Sequence, residues 1–236
     1  MSAVLRMSNT SHLYLQKTRQ CAKRIVHCVL AVTRDAYNIA TIGAHSPRHS
    51  EAINIDPRTI DNVIQPKPSS RIVGIPITRH QRTSALVCDT KTFQRTPLTE
   101  TRHYRAVVQR YVDCVPWELT EDYRLLKNAV LEGRYWAGIR SKEQIDERFR
   151  TLDQLFEAAQ NTGSIPPSTG FHRHSFRAEH EVMISVLHNG ELCLTAYFGL
   201  HRLSIAKILG LETLCGQIGI VDYRQVARMR QLRHSR

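Results

Sequence analysis

In the first half of the chain, apolar positions recur mainly at helical spacing. Ile25, Val29, Val32 and Ala36 predict one helix over Lys17–Ile39. His45-Ser-Pro-Arg-His-Ser50 then reads as a linker, and Asp56-Pro57 as a turn that opens a short helix. Gln65-Pro-Lys-Pro-Ser-Ser70 reads as a loop, and Arg71–Thr78 has strand composition broken by Pro76. After Thr99 the period sharpens. Tyr104, Val107, Val108, Tyr111 and Val112 predict a helix that ends at Pro116-Trp-Glu-Leu-Thr120. Tyr123, Leu126, Val130 and Leu131 predict a second, closed by Gly133. Ser141 followed by Gln144 has the spacing of a capping box. It opens a third helix, with Ile145, Phe149, Leu152, Leu155 and Phe156 on one face, stopped by Asn161-Thr-Gly163. These stripes predict core, not chemistry.

The last part of the chain changes period. Glu181–Leu187 reads as a strand, His188-Asn-Gly-Glu191 as a turn, and Leu192–Phe198 as a second strand. Gly199 leads into a helix carrying Leu203, Ile205, Ala206 and Leu209, ended by Gly210, and Gly216–Tyr223 is a third strand. Strand, turn, strand, glycine-led helix, strand makes a compact α/β unit.

Composition adds little to that pattern. Hydrophobic residues make up 42% of the 236 positions and charged residues 23%, the balance of a globular protein. The longest apolar runs, Ile25–Val32 (broken by His27) and Tyr197–Leu200, fall far short of the ~20 residues of a membrane-spanning helix. The first residues lack the layout of a secretory signal. A cytoplasmic protein with no membrane contact is expected. None of the six cysteines forms a Cys-x-x-Cys pair, so they are expected as free thiols rather than a zinc ribbon or a redox motif.

Charge changes the picture more. Residues 1–137 hold 20 Lys and Arg against 11 Asp and Glu, whereas 138–223 hold 8 against 10. The last 13 residues carry five arginines and no acid. Basic ends flanking a nearly neutral centre suggest tails that seek a polyanion such as DNA or RNA; the alternative is that they only solubilise the chain.

The sharpest candidate chemistry is Gly199-Leu-His-Arg202 at the strand–helix junction. Glycine lets backbone approach a ligand, and the N–H groups of a helix start favour an anion. Arg202 adds a guanidinium suited to phosphate oxygens, and His201 can exchange a proton near neutral pH. Read alone, these four residues also fit a plain helix start. Phe171-His-Arg-His-Ser-Phe-Arg-Ala-Glu-His180 offers His172, His174 and His180 but no ligand set of familiar spacing, and reads as a surface loop. Arg173 and Arg177 beside Phe171 and Phe176 are an alternative nucleic-acid contact.

Around that junction, Val182–Leu187, Asn189-Gly190, Leu192–Phe198, Gly199–Arg202, Ser204–Lys207, Leu209–Thr213 and Gln217–Val221 follow one another in a known order. The stretch resembles the ParB/sulfiredoxin-like fold, where a hairpin leads into Gly-x-[His/Arg]-Arg, a helix, a Leu-Gly turn and a final strand. Trp117–Tyr123 and Ile145–Leu155 look like the helical lead-in of one branch, so the resemblance spans roughly 110–223. It implies an α+β fold with a small mixed sheet at about 138–223 and a helical lead-in at 100–137. Outside these lie a basic, partly disordered N-terminal region at 1–99 and a basic C-terminal tail at 224–236.

In that superfamily the Gly-x-x-Arg turn binds nucleotide phosphates. The resemblance therefore implies an NTP or NDP ligand, with Mg2+, held by Gly199, His201 and Arg202 and helped by Ser204 and Lys207. Nucleotide hydrolysis or phosphoryl transfer would need a carboxylate base; Glu179, Glu181 and Glu191 are available and no motif selects one, with Glu181 taken as the candidate. Leu200 stands where sulfiredoxin has its cysteine, which argues against sulfinic-acid reduction. No Glu-Asn-x-x-Arg motif of the partition proteins is present, and 13 residues after Tyr223 leave no room for their DNA-binding domain. The other reading is a non-enzymatic accessory protein that holds nucleic acid through its basic tails.

Overall fold

The computed structural model describes residues 25, 29, 31–65, 71–72, 75–76, 85–134, 139–166, 182–195 and 198–234. Within them the chain is α+β: nine strands and six helices, with seven strands in one mixed sheet. Helix α1 (31–42) is followed by strands β1 (Ala52–Ile55), β2 (Asn62–Gln65), β3 (Arg71–Ile72), β4 (Ile75–Pro76), β5 (Leu86–Cys88) and β6 (Gln94–Pro97). Three helices come next: α2 (Arg102–Tyr111), α3 (Glu121–Leu131) and α4 (Lys142–Thr162). The chain then runs through β7 (Val182–Val186), β8 (Leu192–Thr195), α5 (Leu200–Ile208), β9 (Leu214–Asp222) and α6 (Arg228–His234).

The predicted hairpin, glycine-led helix and final strand form at nearly the expected bounds. β7 and β8 pair antiparallel, α5 crosses over, and β9 returns parallel to β7. β7 is buried at all five positions, and β9 at all but one, the signature of strands covered on both faces. Their ladder is irregular between Ile184 and Val186. There the hydroxyl of Ser185 accepts from the Ile220 N–H at 3.1 Å and pairs with Thr195 Oγ1 at 2.6 Å, so the displaced backbone group stays satisfied. Gly219 lies beside this pair. A methyl group on it would stand 2.3 Å from Thr195 Oγ1 and 2.7 Å from Met183 Cγ, so only glycine fits.

The sheet runs β1-β9-β7-β8-β2-β6, and β5 also pairs with β9. β1 lies antiparallel along Leu214–Gln217 and β5 parallel along Ile220–Asp222, end to end on the same side of β9. Successive residues Val63/Ile64, Cys193/Leu194 and Ile220/Val221 divide between two apolar clusters, one on each face. The larger cluster gathers the helices: Ala106 and Val107 of α2, Tyr123 and Leu126 of α3, Ile145 and Phe149 of α4, and Leu203 and Ile205 of α5. Ser141 caps α4 as expected, with its hydroxyl accepting from Gln144 N–H. The return bond of the box reaches Arg140 N–H rather than Ser141. Gly163, left-handed at φ 66°, ends the helix at the expected place.

Two expected boundaries are corrected. Of the region before residue 99, expected to be basic and partly disordered, β1, β2, β5 and β6 belong to the same sheet as β7–β9, so the core extends well before 138. Ser46 and Pro47, expected in a linker, are buried, and Pro47 O accepts from Asn38 of α1. The C-terminal residues are likewise no loose tail. Val226, Met229 and Leu232 recur at three-residue spacing and enter the larger core cluster. Arg224 bonds Asp222 and Asp89, Arg228 donates to Gly190 O, and Arg233 pairs with Glu51. Residues 1–24, where the predicted first helix begins, lie outside the described residues. Among the described residues no helix is long and apolar enough to cross a membrane.

Candidate functional site

Three helices begin at one place. His103 is the second residue of α2, Asp122 the second of α3 and His201 the second of α5. Two of the starts are fixed by buried threonines. Thr101 Oγ1 accepts from Tyr104 N–H, and Thr120 Oγ1 accepts from Tyr123 N–H while donating to Trp117 O. The third start is made by Gly199, left-handed at φ 73°, and no side chain caps it. Helix starts carry partial positive charge, so their convergence creates a positive field at the junction.

One carboxylate sits in that field. Asp122 Oδ2 lies 3.1 Å from His201 Nε2, and Oδ1 lies 3.1 Å from Arg102 Nε and 3.6 Å from His103 Nε2. The Asp122 side chain is 2% exposed, against 10% for His201 and 13% for His103. Burial alone would raise the Asp122 carboxyl, but the His201 hydrogen bond and the surrounding positive charge hold it well below the usual carboxylate range. Asp122 is therefore ionised, and the His201 nitrogen facing it must be the donor. Burial pushes both imidazoles the other way. His103 falls to about 3 despite the Asp122 charge, and His201 falls as well, so both rings are neutral near pH 7. The rings meet edge to face, with centroids 4.9 Å apart.

Arginines complete the surroundings. Arg148 of α4 feels the Asp122 charge, and its buried Nε has no hydrogen-bond partner among the described residues. Arg202, on the first turn of α5, donates through Nη2 to Pro166 O. The junction thus pairs one anion with several cationic groups and two neutral imidazoles. Such a setting suits an external anion, or a metal ion that accepts nitrogen ligands.

Of the residues expected from sequence, Gly199, His201 and Arg202 share this turn. Ser204 is buried, and its hydroxyl donates to Leu200 O within the helix. Lys207 sits in the last turn of α5, where Nζ donates to Pro57 O, Arg58 O and Ile60 O at 2.9–3.3 Å and to Asp61 Oδ1 at 3.0 Å. The structure therefore places neither Ser204 nor Lys207 at the helix start. Glu181 and the histidine-rich segment 171–180 lie outside the described residues.

The Mg2+ implied by the resemblance does not fit here. That ion wants near-octahedral oxygen ligands, whereas the junction offers two ring nitrogens and one carboxylate already bonded to Arg102 and His201.

His103, Asp122, Arg102 and Arg148 were absent from the sequence-based candidates. The only sequence signal is a threonine two residues before His103 (Thr101) and before Asp122 (Thr120); nothing comparable marks Arg102 or Arg148. No family model, curated protein or solved structure matches this chain.

Proposed function

We propose that the protein binds the phosphate of a nucleotide, an NTP or NDP, at the start of α5, as a ParB/sulfiredoxin-like domain would. The observation that carries this reading is the helix start at Gly199. It has no side-chain cap and meets two other helix starts among Arg102, Arg148 and Arg202. In this reading the first-turn N–H groups and Arg202 hold the phosphate. His201, occupied with Asp122, positions the turn and does not touch the ligand. Hydrolysis or phosphoryl transfer would add a carboxylate base, and Glu181 remains the candidate for it. The tail-borne nucleic-acid reading rests on charge alone; Arg224, Arg228 and Arg233 of that tail bond within the chain, as Arg202 also does at Pro166 O.

The test is calorimetric titration of the full chain with a panel of NTPs and NDPs. Arg202→Ala removes charge-assisted hydrogen bonds of roughly 1.5–3 kcal/mol and should weaken binding by about ten- to hundredfold. Arg202→Lys should recover part of it, since it keeps the charge without the planar fork. Arg150→Ala, on an exposed arginine paired with Glu147, should leave affinity unchanged. A parent chain that binds none of the nucleotides refutes the reading.

A further inference from the structure

The geometry points to a transition-metal site at the junction of α2, α3 and α5, with His103 Nε2, one oxygen of Asp122 and His201 Nε2 as its three protein ligands. The three ligand atoms lie within 4.8 Å of one another. Ligands about 2.1 Å from a tetrahedral ion stand about 3.4 Å apart. His201 Nε2 stands 3.1 Å from Asp122 Oδ2, near that value, while His103 Nε2 stands 3.6 Å from the other carboxylate oxygen, Oδ1. The ligand atoms are spread over as much as 4.8 Å, so the imidazoles must draw together around the ion, and His201 must carry its proton on Nδ1 to leave Nε2 free to ligate.

The donor set selects the class of ion. Two imidazoles and a carboxylate suit Zn2+, Co2+ or Ni2+, and not the oxygen-seeking Mg2+ or Ca2+. Three protein ligands leave a coordination position open, as in zinc sites that act on a substrate rather than sites that only brace a fold. The outer contact is also in place, because Arg102 Nε holds Asp122 Oδ1 at 3.1 Å and fixes the plane of the carboxylate. All three ligands stand on first turns of helices, two of them locked by Thr101 and Thr120, so the backbone beneath them is rigid. His103, the most exposed of the three, marks the side from which the ion enters. The Arg102 and Arg148 charges oppose a bare dication, so the site binds more weakly than the same three ligands would without them.

The proposal does not depend on nucleotide binding, and metal alone is the probe. The full chain, stripped with a chelator, is titrated with Co2+ and followed by its visible d–d absorption. One equivalent should bind with the spectrum of mixed nitrogen and oxygen ligands, and Zn2+ should displace it. His103→Ala, the least buried ligand and the variant that least disturbs the core, should lower affinity at least ~10-fold, the loss caused by removing even an outer partner. His201→Ala and Asp122→Asn should do the same where circular dichroism shows them folded. A triple variant, His172→Ala/His174→Ala/His180→Ala, should keep the stoichiometric site. No stoichiometric Co2+ binding by the parent, full binding by His103→Ala, or loss of binding in the triple variant would each overturn the assignment.

Discussion

The ammonium of Lys207 is divided among the carbonyls of Pro57, Arg58 and Ile60, which closes the turn between β1 and β2 against the end of α5. That placement separates two roles the sequence leaves mixed, phosphate helper and structural clamp. Lys207→Ala should destabilise the fold by ~1.5–3 kcal/mol, the range for hydrogen bonds to a charged group. Nucleotide affinity should stay within twofold of the parent. Urea unfolding and calorimetry of the same sample check both halves. Gly219 makes a second prediction at this scale. Its missing side chain lets Thr195 Oγ1 and Met183 approach, so Gly219→Ala should cost ~1–3 kcal/mol through overpacking. A melting temperature equal to the parent's would refute the close approach.

One residue cluster carries part of the acid stability. Asp222 is fully buried, which alone would raise its carboxyl. Hydrogen bonds from Thr90 N–H, Arg224 N–H and the Thr90 hydroxyl instead hold it below the ordinary range. Asp89 is lowered to about 2, chiefly by its hydrogen bond with Arg224. Depressed carboxylates contribute stability that is complete above their unfolded value of ~3.9 and is lost as pH falls through the folded value. Unfolding free energy should therefore drop between about pH 4 and pH 2, and Asp222→Asn should flatten that part of the profile. Urea melts stepped through the window supply the measurement.

Among the elements, the hairpin β7–β8, helix α5 and strand β9 were legible because their signals are local: alternation, Asn189-Gly190, and glycines at both ends of a helix. α6 was hidden by its own composition. Five arginines in the last 13 residues suggested a solvated tail, while Val226, Met229 and Leu232 carried the apolar spacing that buries it. Deleting residues 224–236 should consequently expose core and lower the melting temperature, in place of the expected simple loss of nucleic-acid affinity. Differential scanning calorimetry of the truncated chain distinguishes the two. The short strands β2, β5 and β6 were illegible for another reason. Three or four residues carry too little period; β2 and β5 depend on partners more than 90 positions away in β8 and β9, and β6 in turn on β2.

At the scale of the molecule, the site is a product of assembly. His103 and Asp122 are ordinary first-turn residues in sequence, where an acid simply suits the helix dipole. They become a site only when α2 and α3 meet α5, which lies about 80 positions beyond Asp122 and nearly 100 beyond His103. Only Gly199–Arg202 could be read in advance, because glycine and arginine at a strand–helix junction are a local signal. The same interdependence bears on truncation. A chain beginning at Thr99 lacks β1, β2, β5 and β6 and should fail to unfold cooperatively, with a broad transition by circular dichroism.

The arrangement around β9 has a consequence for how copies of the chain meet. A nine-residue strand left at a margin would be a long template for another molecule's backbone, the usual route to fibrous self-association. Here β9 lies inside, and its outer flank is covered by two short strands running in opposite directions. A newcomer aligned with one would be misaligned with the other. The far margin, β6, offers four residues with Arg95 among them and Pro97 at the end, where charge and a missing N–H both discourage pairing. The sheet thus guards its longest strand by covering it piecewise.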